Sequence, residues 1–280
     1  MIKVFIASAF CKDDKGGNKA GVVLDAQGLD DGAKKRIARE LGYAETAFLS
    51  HSSKADFKIE YFTPAEEVPL CGHATIASFG VLKHLNKLSK KNYTIETKSG
   101  VLDINLEDGE IFMEQNIPTF YETIEPEELK NCFDLDCISR EYPISIVSTG
   151  LKDILIPIEG EDNLNKLIPN FEDIKRISKK YDVVGTHLYT MINDRIICRN
   201  FAPLYDVVEE AATGTSNCAL AGLLYKKLHL KKEQYVFEQG YSLHSPSVIK
   251  VKVYSSDGET IDKIVVGGKS KFVEVKQLSI

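Results

Sequence analysis

Two segments of the chain carry hydrophobic residues at helical spacing behind an acidic first turn. They cover residues 31–41 and 172–181. Acidic side chains at the start of a helix are favoured by the helix dipole, so both segments are predicted to be amphipathic helices. Their starts lie 141 positions apart, which is close to half of the 280-residue chain.

A second pair of similar segments alternates apolar and polar side chains with a period of two. Residues 99–109 and 247–258 have this pattern, and both end in Asp-Gly. The pattern predicts half-buried strands that lead into a turn. Residues 1–10 are predicted to be an opening strand rather than a signal peptide, because their apolar run is short and charged residues follow at once.

A third pair joins a proline-bearing loop to a helix that opens after a glycine. The first half has Phe62-Thr63-Pro64, then Cys71-Gly72-His73-Ala74 and an apolar stretch to Leu82; the second has Phe201-Ala202-Pro203, then Thr213-Gly214-Thr215-Ser216 and a stretch to Leu228. Because the same elements recur in the same order, the sequence predicts an α+β fold of two similar, pseudo-symmetric lobes. We assign residues 1–115, with a short C-terminal return strand, to the N-terminal lobe, and residues 116–270 to the C-terminal lobe.

The composition of the chain limits the kinds of molecule that it is expected to bind. The chain is 43% hydrophobic and 27% charged, as folded proteins usually are, and its net charge is -6. The chain has no run of four or more basic residues that could lie along a phosphate backbone, so nucleic acid is not an expected partner. No apolar run approaches the roughly 18 to 20 residues of a membrane span, so a membrane is not expected either. Six scattered cysteines without a CxxC pair favour a reducing cytoplasm.

The two helix starts predict an anion site. Glycine lets a ligand approach the backbone closely, and the first turn of a helix presents unpaired N–H groups. We therefore expect a small carboxylate to be held between the Gly72 and Gly214 turns. The alternative is that both glycines only open helices, with Thr215 or Ser216 as N-cap.

Three side chains of the first half are candidates for proton transfer. His73 could shuttle a proton, or could be structural, and the histidine spacing predicts no zinc site. Cys71 at a helix start could act as a thiolate base, but Thr213 stands at the matching position and cannot be the second base of a two-thiol racemase. Glu45 borders the apolar residues 47–49, which would raise its pKa, although an exposed strand-end glutamate is the plainer alternative.

Together these segments resemble the PhzF-like phenazine-biosynthesis isomerase family, which shares the diaminopimelate epimerase-like fold. The resemblance covers nearly the whole chain. It rests on Gly17-Asn18, Ala44-Glu45-Thr46-Ala47-Phe48, Phe62-Thr63-Pro64, the unbroken run 67–75, Ser148-Thr149-Gly150-Leu151, Arg199-Asn200-Phe201-Ala202-Pro203, the run 209–216 and Gln239-Gly240. The run 67–75, Glu-Val-Pro-Leu-Cys-Gly-His-Ala-Thr, is the most specific match.

The resemblance implies a curved sheet around a central helix in each lobe, and a cofactor-independent isomerase that moves a proton within a small anionic metabolite. Its catalytic residues would be Glu45, His73, Glu210 and Thr215, and its substrate-binding residues Asn18, Cys71, Gly72, Thr213, Gly214 and Ser216, with no metal and a possible homodimer. Three positions depart from the family pattern: Glu210 replaces an aspartate, and Glu60 and Ser245 stand where arginines are common. An amino-acid racemase or epimerase, and a catalytically silent ligand-binding member, are the alternatives.

Overall fold

The computed structural model describes residues 1–279, and these form two compact units. The first unit runs from Met1 to Glu114 and resumes at Gly267; the second runs from Gln115 to Val266. No helix within the described residues is both long and apolar enough to cross a membrane.

Five α-helices and eighteen strands make up the regular structure of residues 1–279. In chain order they are β1 (Ile2–Ala9), β2 (Asn18–Val23), α1 (Asp31–Leu41), β3 (Thr46–Ser50), β4 (Phe57–Phe62), β5 (Glu67–Val68), α2 (Gly72–His84), β6 (Asn92–Thr97), β7 (Gly100–Glu107) and β8 (Glu110–Gln115). They continue as β9 (Thr119–Ile124), β10 (Ile144–Ser148), β11 (Lys152–Pro157), α3 (Gly160–Lys166), α4 (Phe171–Tyr181), β12 (Gly185–Ile192), β13 (Arg195–Ala202), β14 (Val207–Glu210), α5 (Gly214–Lys226), β15 (Gln234–Gln239), β16 (Ser247–Tyr254), β17 (Lys263–Gly268) and β18 (Ser270–Leu278).

The strands of the first unit pair in the order β18-β1-β2-β3-β4-β6-β7-β8. The pairs β2–β3 and β4–β6 are parallel, the others are antiparallel, and β5 pairs with the end of β4. The second unit repeats this plan as β9-β10-β11-β12-β13-β15-β16, with β11–β12 and β13–β15 parallel and β14 beside β13. The prediction of an α+β fold with two similar lobes is therefore confirmed.

One helix of each unit is buried on every side. All residues of α2 from His73 to Leu82 are buried, and so are those of α5 from Ser216 to Tyr225. A helix without a polar face belongs to the core, and α2 packs on β1, β2 and β18 while α5 packs on β10, β11 and β16. Each sheet thus wraps a central helix whose first turn is Gly72 or Gly214.

The amphipathic helices cover other core clusters; α1 has its predicted bounds, and α4 begins one residue earlier than predicted. Asp30 caps α1 by accepting a hydrogen bond from Ala33 N at 2.7 Å, and Gly42 ends the helix with φ +70°. Its face with Ile37 joins the cluster of Val4 and Phe48. In the second unit α4 buries Ile174 and Ile177 in the same way.

The two Asp-Gly sequences form different turns. Asp108 and Gly109 have φ +50° and +84° and join β7 to β8 directly, as the alternating pattern predicts. In the second unit Asp257 lies in a longer loop between β16 and β17, where its carboxylate accepts from Glu259 N at 2.7 Å and Thr260 N at 2.6 Å. The predicted turn is present there, but more residues separate the strands.

Candidate active site

Glu45 lies at the point where the chain enters β3. Since β3 pairs with strands on both sides and residues 46–49 are buried, the residue before it is carried into the interior. The Glu45 side chain is 19% exposed, and its Oε2 is buried without a hydrogen-bond partner within residues 1–279. The alternative of an exposed strand-end glutamate is wrong.

The first turn of α2 brings two further groups to this carboxyl. Cys71 is the N-cap in extended conformation, and its Sγ lies 3.5 Å from His73 Nδ1. His73 Nε2 lies 3.4 Å from Glu45 Oε2. Thr75 Oγ1 donates to Cys71 O at 2.7 Å, so Tyr61 O–H donates to Thr75 Oγ1 at 2.5 Å and holds the turn in place.

Burial determines the protonation states of Glu45 and His73. It raises the pKa of the Glu45 carboxyl to about 7, against the opposite effect of a hydrogen bond from Cys71. It lowers the pKa of the His73 imidazole to about 4. At neutral pH His73 is therefore uncharged, and the 3.4 Å contact is not an ion pair. Glu45 is poised to take up a proton and to release it again, the property that general acid/base catalysis needs.

The same three side chains form a cluster that histidine spacing does not reveal. A carboxylate oxygen of Glu45, Cys71 Sγ and a His73 nitrogen lie within 4.8 Å of one another. Such a donor set could hold a divalent cation, and its closeness also allows a proton to pass between its members. The absence of a metal from the reaction stays a prediction.

Asn18 occupies a turn that requires glycine before it. Gly17 has φ +82°, and a Cβ there would lie 2.5 Å from Ala9 O and 2.5 Å from Ser8 Oγ. Asn18 is half-buried, opens β2 and pairs with Ala9. The close approach of the backbone explains the Gly17-Asn18 sequence.

The first turn of α5 is held by Glu210 and Gln239. Thr213 Oγ1 donates to Glu210 Oε2 at 2.6 Å, and Thr213 N donates to Gln239 Oε1 at 3.2 Å. Gln239 Nε2 donates to Thr213 Oγ1 at 3.0 Å and to Glu210 O at 2.8 Å. The N-cap is Thr213, without a side-chain cap hydrogen bond, so the alternative of Thr215 or Ser216 as N-cap is wrong.

Thr215 and Ser216 of α5 are hydrogen-bonded to the residue that follows β10 and to β11. Thr215 O accepts from Thr149 Oγ1 at 3.0 Å. Ser216 is 1% exposed, and its Oγ donates to Asp153 Oδ2 at 2.6 Å. The Ser216 hydroxyl is thus used inside the protein, which leaves its backbone N–H as the group that could meet a ligand.

Apart from Asn18, which lies at the start of β2, the structure gathers the candidate residues into one set in each unit. Glu45, Cys71, Gly72 and His73 meet in the first; Glu210, Thr213, Gly214, Thr215 and Ser216 meet in the second. Sequence reasoning gave no role to Asp153, Asn217 or Gln239. For Asp153 a signal existed, since this acidic residue directly precedes the apolar run 154–156.

The chain is similar to known proteins in sequence and in fold. A family model described as "Phenazine biosynthesis-like protein" (PhzC-PhzF) matches residues 7–275. The uncharacterized isomerase YddE of Escherichia coli K12 is 32% identical over 95% of this chain and 94% of its own length. A PhzF-family protein of Bacillus anthracis, known by its crystal structure, superposes with a TM-score of 0.90 at 28% identity, over 100% of this chain and 99% of that one.

A more distant structure shares the fold alone. It is a hydroxyproline epimerase from Agrobacterium vitis with bound trans-4-hydroxy-L-proline, with a TM-score of 0.67 at 10% identity, covering 99% of this chain and 90% of that one. The family model spans nearly the whole chain, and curated relatives of similar length are isomerases. This chain therefore belongs to the PhzC-PhzF family of phenazine biosynthesis-like proteins and is an isomerase.

Proposed function

We propose that this isomerase moves a proton within a small carboxylate-bearing metabolite, cyclic or amino-acid-like, without a cofactor, and that Glu45 carries the proton. One observation supports this most directly. Burial brings the pKa of Glu45 to about 7, beside an uncharged His73 at the first turn of a buried helix. A carboxyl group with this pKa can act as base and then as acid at the same pH.

The proposed reaction conserves protons. Ionised Glu45 removes a proton from a carbon of the substrate, and the electron pair of that C–H bond moves into the substrate's unsaturated or carboxyl-bearing system. Protonated Glu45 then returns the proton to a carbon of the same molecule. His73, which is uncharged at neutral pH, donates an N–H to the oxygen on which negative charge grows.

The remaining residues assist or bind. Glu210 and Thr215 assist catalysis in this proposal. The binding residues are Asn18, Cys71, Gly72, Thr213, Gly214 and Ser216, and those at helix starts act through their backbone N–H groups. Neither N-cap, Cys71 or Thr213, makes a side-chain cap hydrogen bond, which supports a carboxylate as the partner of these first turns.

A two-thiol racemase or epimerase is the second candidate. The proximity of Cys71 to Glu45 and His73 favours it, and Thr213 at the N-cap of α5 opposes it, because a threonine hydroxyl is a poor base. Cys71→Ala separates the two. Under our proposal the variant loses only a few-fold in rate, because Glu45 carries the proton.

The assay for both candidates is incorporation of solvent deuterium. A panel of cyclic and linear amino and hydroxy carboxylates is incubated with the protein in D₂O, and loss of C–H signals is followed by proton NMR. We expect exchange in at least one compound, and Cys71→Ala should retain it. A loss in Cys71→Ala as deep as that caused by removing the Glu45 carboxyl would favour the racemase.

Gly72→Ala tests whether this glycine serves a ligand or the fold. A Cβ at Gly72 would meet only Met113 Cε, at 3.7 Å, and the backbone does not need a positive φ. We expect an unchanged or slightly raised free energy of unfolding, because alanine favours helix over glycine by up to about 1 kcal/mol. Deuterium exchange should fall about tenfold or more as the methyl group obstructs the substrate.

Gly80→Ala is the matched control in the same helix. A Cβ there would lie 2.0 Å from Ser270 Oγ and 2.5 Å from Ser270 Cβ, so that variant should lose stability in urea unfolding. If Gly72→Ala instead destabilised the protein while its exchange rate per folded molecule was unchanged, Gly72 would be a packing residue.

A further inference from the structure

A chain of buried polar side chains lies beneath the first turn of α5. It starts at Asp153 on β11, passes through Ser216 on α5 and Asn200 on β13, and reaches His187 on β12. These residues are 2%, 1%, 3% and 0% exposed. Ser216 Oγ lies 2.6 Å from Asp153 Oδ2, Asn200 Nδ2 lies 3.2 Å from Ser216 Oγ, and Asn200 Nδ2 lies 3.3 Å from His187 Nδ1.

The charge of Asp153 determines which atom is the donor and which is the acceptor in each of these hydrogen bonds. An ionised carboxylate only accepts, so the single hydroxyl proton of Ser216 points to Asp153. Ser216 must then accept from Asn200 Nδ2. The second proton of the same amide group points to His187 Nδ1, which therefore carries no proton. An uncharged His187 is in consequence protonated at Nε2.

The Nε2 proton of His187 relates these hydrogen bonds to Asn217 in the first turn of α5. His187 Nε2 and Asn217 Oδ1 are both buried without a hydrogen-bond partner within residues 1–279. Burial lowers the pKa of His187 to about 3, and the Asn217 side chain raises it in part. An amide oxygen that faces the N–H of the imidazole ring has this effect. An Nε2 proton is what this oxygen can accept.

From Asn217 the hydrogen bonds reach the Glu210 carboxylate. Asn217 Nδ2 donates to Gln239 Oε1 at 3.0 Å and to Thr213 O at 2.8 Å. Gln239 Nε2 then donates to Thr213 Oγ1, and Thr213 Oγ1 donates to Glu210 Oε2. Ser216 and Asn200 donate to the acceptor before them in the series, whereas Asn217, Gln239 and Thr213 each donate to the residue after them. The series ends on the Glu210 carboxylate, which only accepts when ionised.

We propose that Asp153 is a positioning residue, which orders the hydrogen bonds of this series from Ser216 to Glu210 and holds His187 as the Nε2–H tautomer. The carboxylate is secured by donors on two elements, Ser216 Oγ and the backbone N–H of Gly185. The importance of this order for catalysis rests on the proposed role of Glu210.

The test is the tautomer of His187, measured by NMR of protein labelled with ¹⁵N-histidine at pH 8. Burial raises the pKa of Asp153 to about 6, so its carboxyl is ionised at that pH. The His187→Gln spectrum identifies the His187 signals among the six histidines. We expect the Nε2–H tautomer in the unmodified chain.

Asp153→Asn should move His187 towards the Nδ1–H tautomer. The new amide oxygen accepts from Gly185 N, its N–H₂ faces Ser216, and the Ser216 proton turns to Asn200, whose amide group must rotate and offer oxygen to His187. Ser216→Ala, a smaller change, should leave His187 as a mixture of tautomers. Asp162→Asn, at a side chain that is 90% exposed, is the control and should change nothing.

The kinetic prediction for Asp153→Asn is a fall of about tenfold in kcat with little change in KM, because Glu210 is misplaced rather than removed. An unchanged tautomer in both Asp153→Asn and Ser216→Ala would overturn the proposal. A changed tautomer with unchanged kcat would overturn its catalytic part. The tautomer is read without substrate, so a failure of the proposed function, seen as exchange that does not depend on Glu45, is a separate result.

Discussion

Glu45→Gln is expected to slow solvent deuterium exchange by about 10² to 10⁴, the usual contribution of a general acid/base group. The amide keeps the size of the side chain but cannot take up or return a proton. Substrate affinity, measured by calorimetry, should stay within a few-fold. Glu66→Gln changes an exposed carboxylate of the same unit and should exchange at the rate of the unmodified protein. Full activity of Glu45→Gln would remove this residue from the mechanism.

The pH dependence of the same reaction follows from the pKa of Glu45. Because the base must be ionised and its pKa is about 7, kcat/KM should rise about tenfold per pH unit below 7 and level off above about 8. The residual exchange of Glu45→Gln should not show this rise. His73, with a pKa lowered to about 4, stays uncharged across the range and contributes no step there.

The Glu45→Gln variant should be less active than the unmodified protein but more stable at neutral pH. The folded-state pKa of Glu45, about 7, exceeds the ordinary value of 4.5, so between these pH values the folded chain binds more protons than the unfolded chain. The unmodified protein therefore loses stability relative to Glu45→Gln as pH rises from 4.5 to 7. The difference in free energy of unfolding should reach roughly 3 kcal/mol at most above pH 7 and vanish at pH 4.

Arg199→Met is expected to destabilise the protein by about 3 to 5 kcal/mol in urea unfolding, the usual cost of breaking a buried ion pair from one side. Arg199 and Glu209 side chains are each 10% exposed and form two parallel hydrogen bonds of 2.9 Å. Arg199 Nη1 also donates to Leu164 O at 3.0 Å and Leu167 O at 2.8 Å. Methionine fills part of the volume but leaves Glu209 charged without its cation.

The double variant Arg199→Met with Glu209→Gln isolates the pair. Removing the charge on both sides should restore part of the lost stability, so the two substitutions should not add. Lys175→Met is the exposed control: its partner Glu172 is 83% exposed, and the expected loss is below about 1 kcal/mol. Simple additivity of the two buried substitutions would show that Arg199 acts through packing alone.

Periodicity and turn chemistry in the sequence were sufficient for the elements and their repetition. Helices α1 and α4 could be predicted because acidic first turns and apolar spacing act within a few residues, and the Asp108-Gly109 turn because both residues adopt positive φ readily. Two similar sets of elements then implied two similar units. The N-cap of α5 could not be predicted in this way, since Thr213, Thr215 and Ser216 are all good N-cap types and the hydrogen bonds to Gln239 favour Thr213.

The chemistry of the site was decided by tertiary structure. The sequence separates Glu45 from His73 by 28 positions and Asp153 from Ser216 by 63, so neither contact is a local property of the chain. Glu45 has a pKa near 7 because the core around β3 and α2 excludes water from its carboxyl group, and local sequence does not specify that desolvation. The order of hydrogen bonds from Asp153 to Glu210 likewise exists only where α5 meets the strands β11 to β15, because each donor takes its direction from an acceptor on another element.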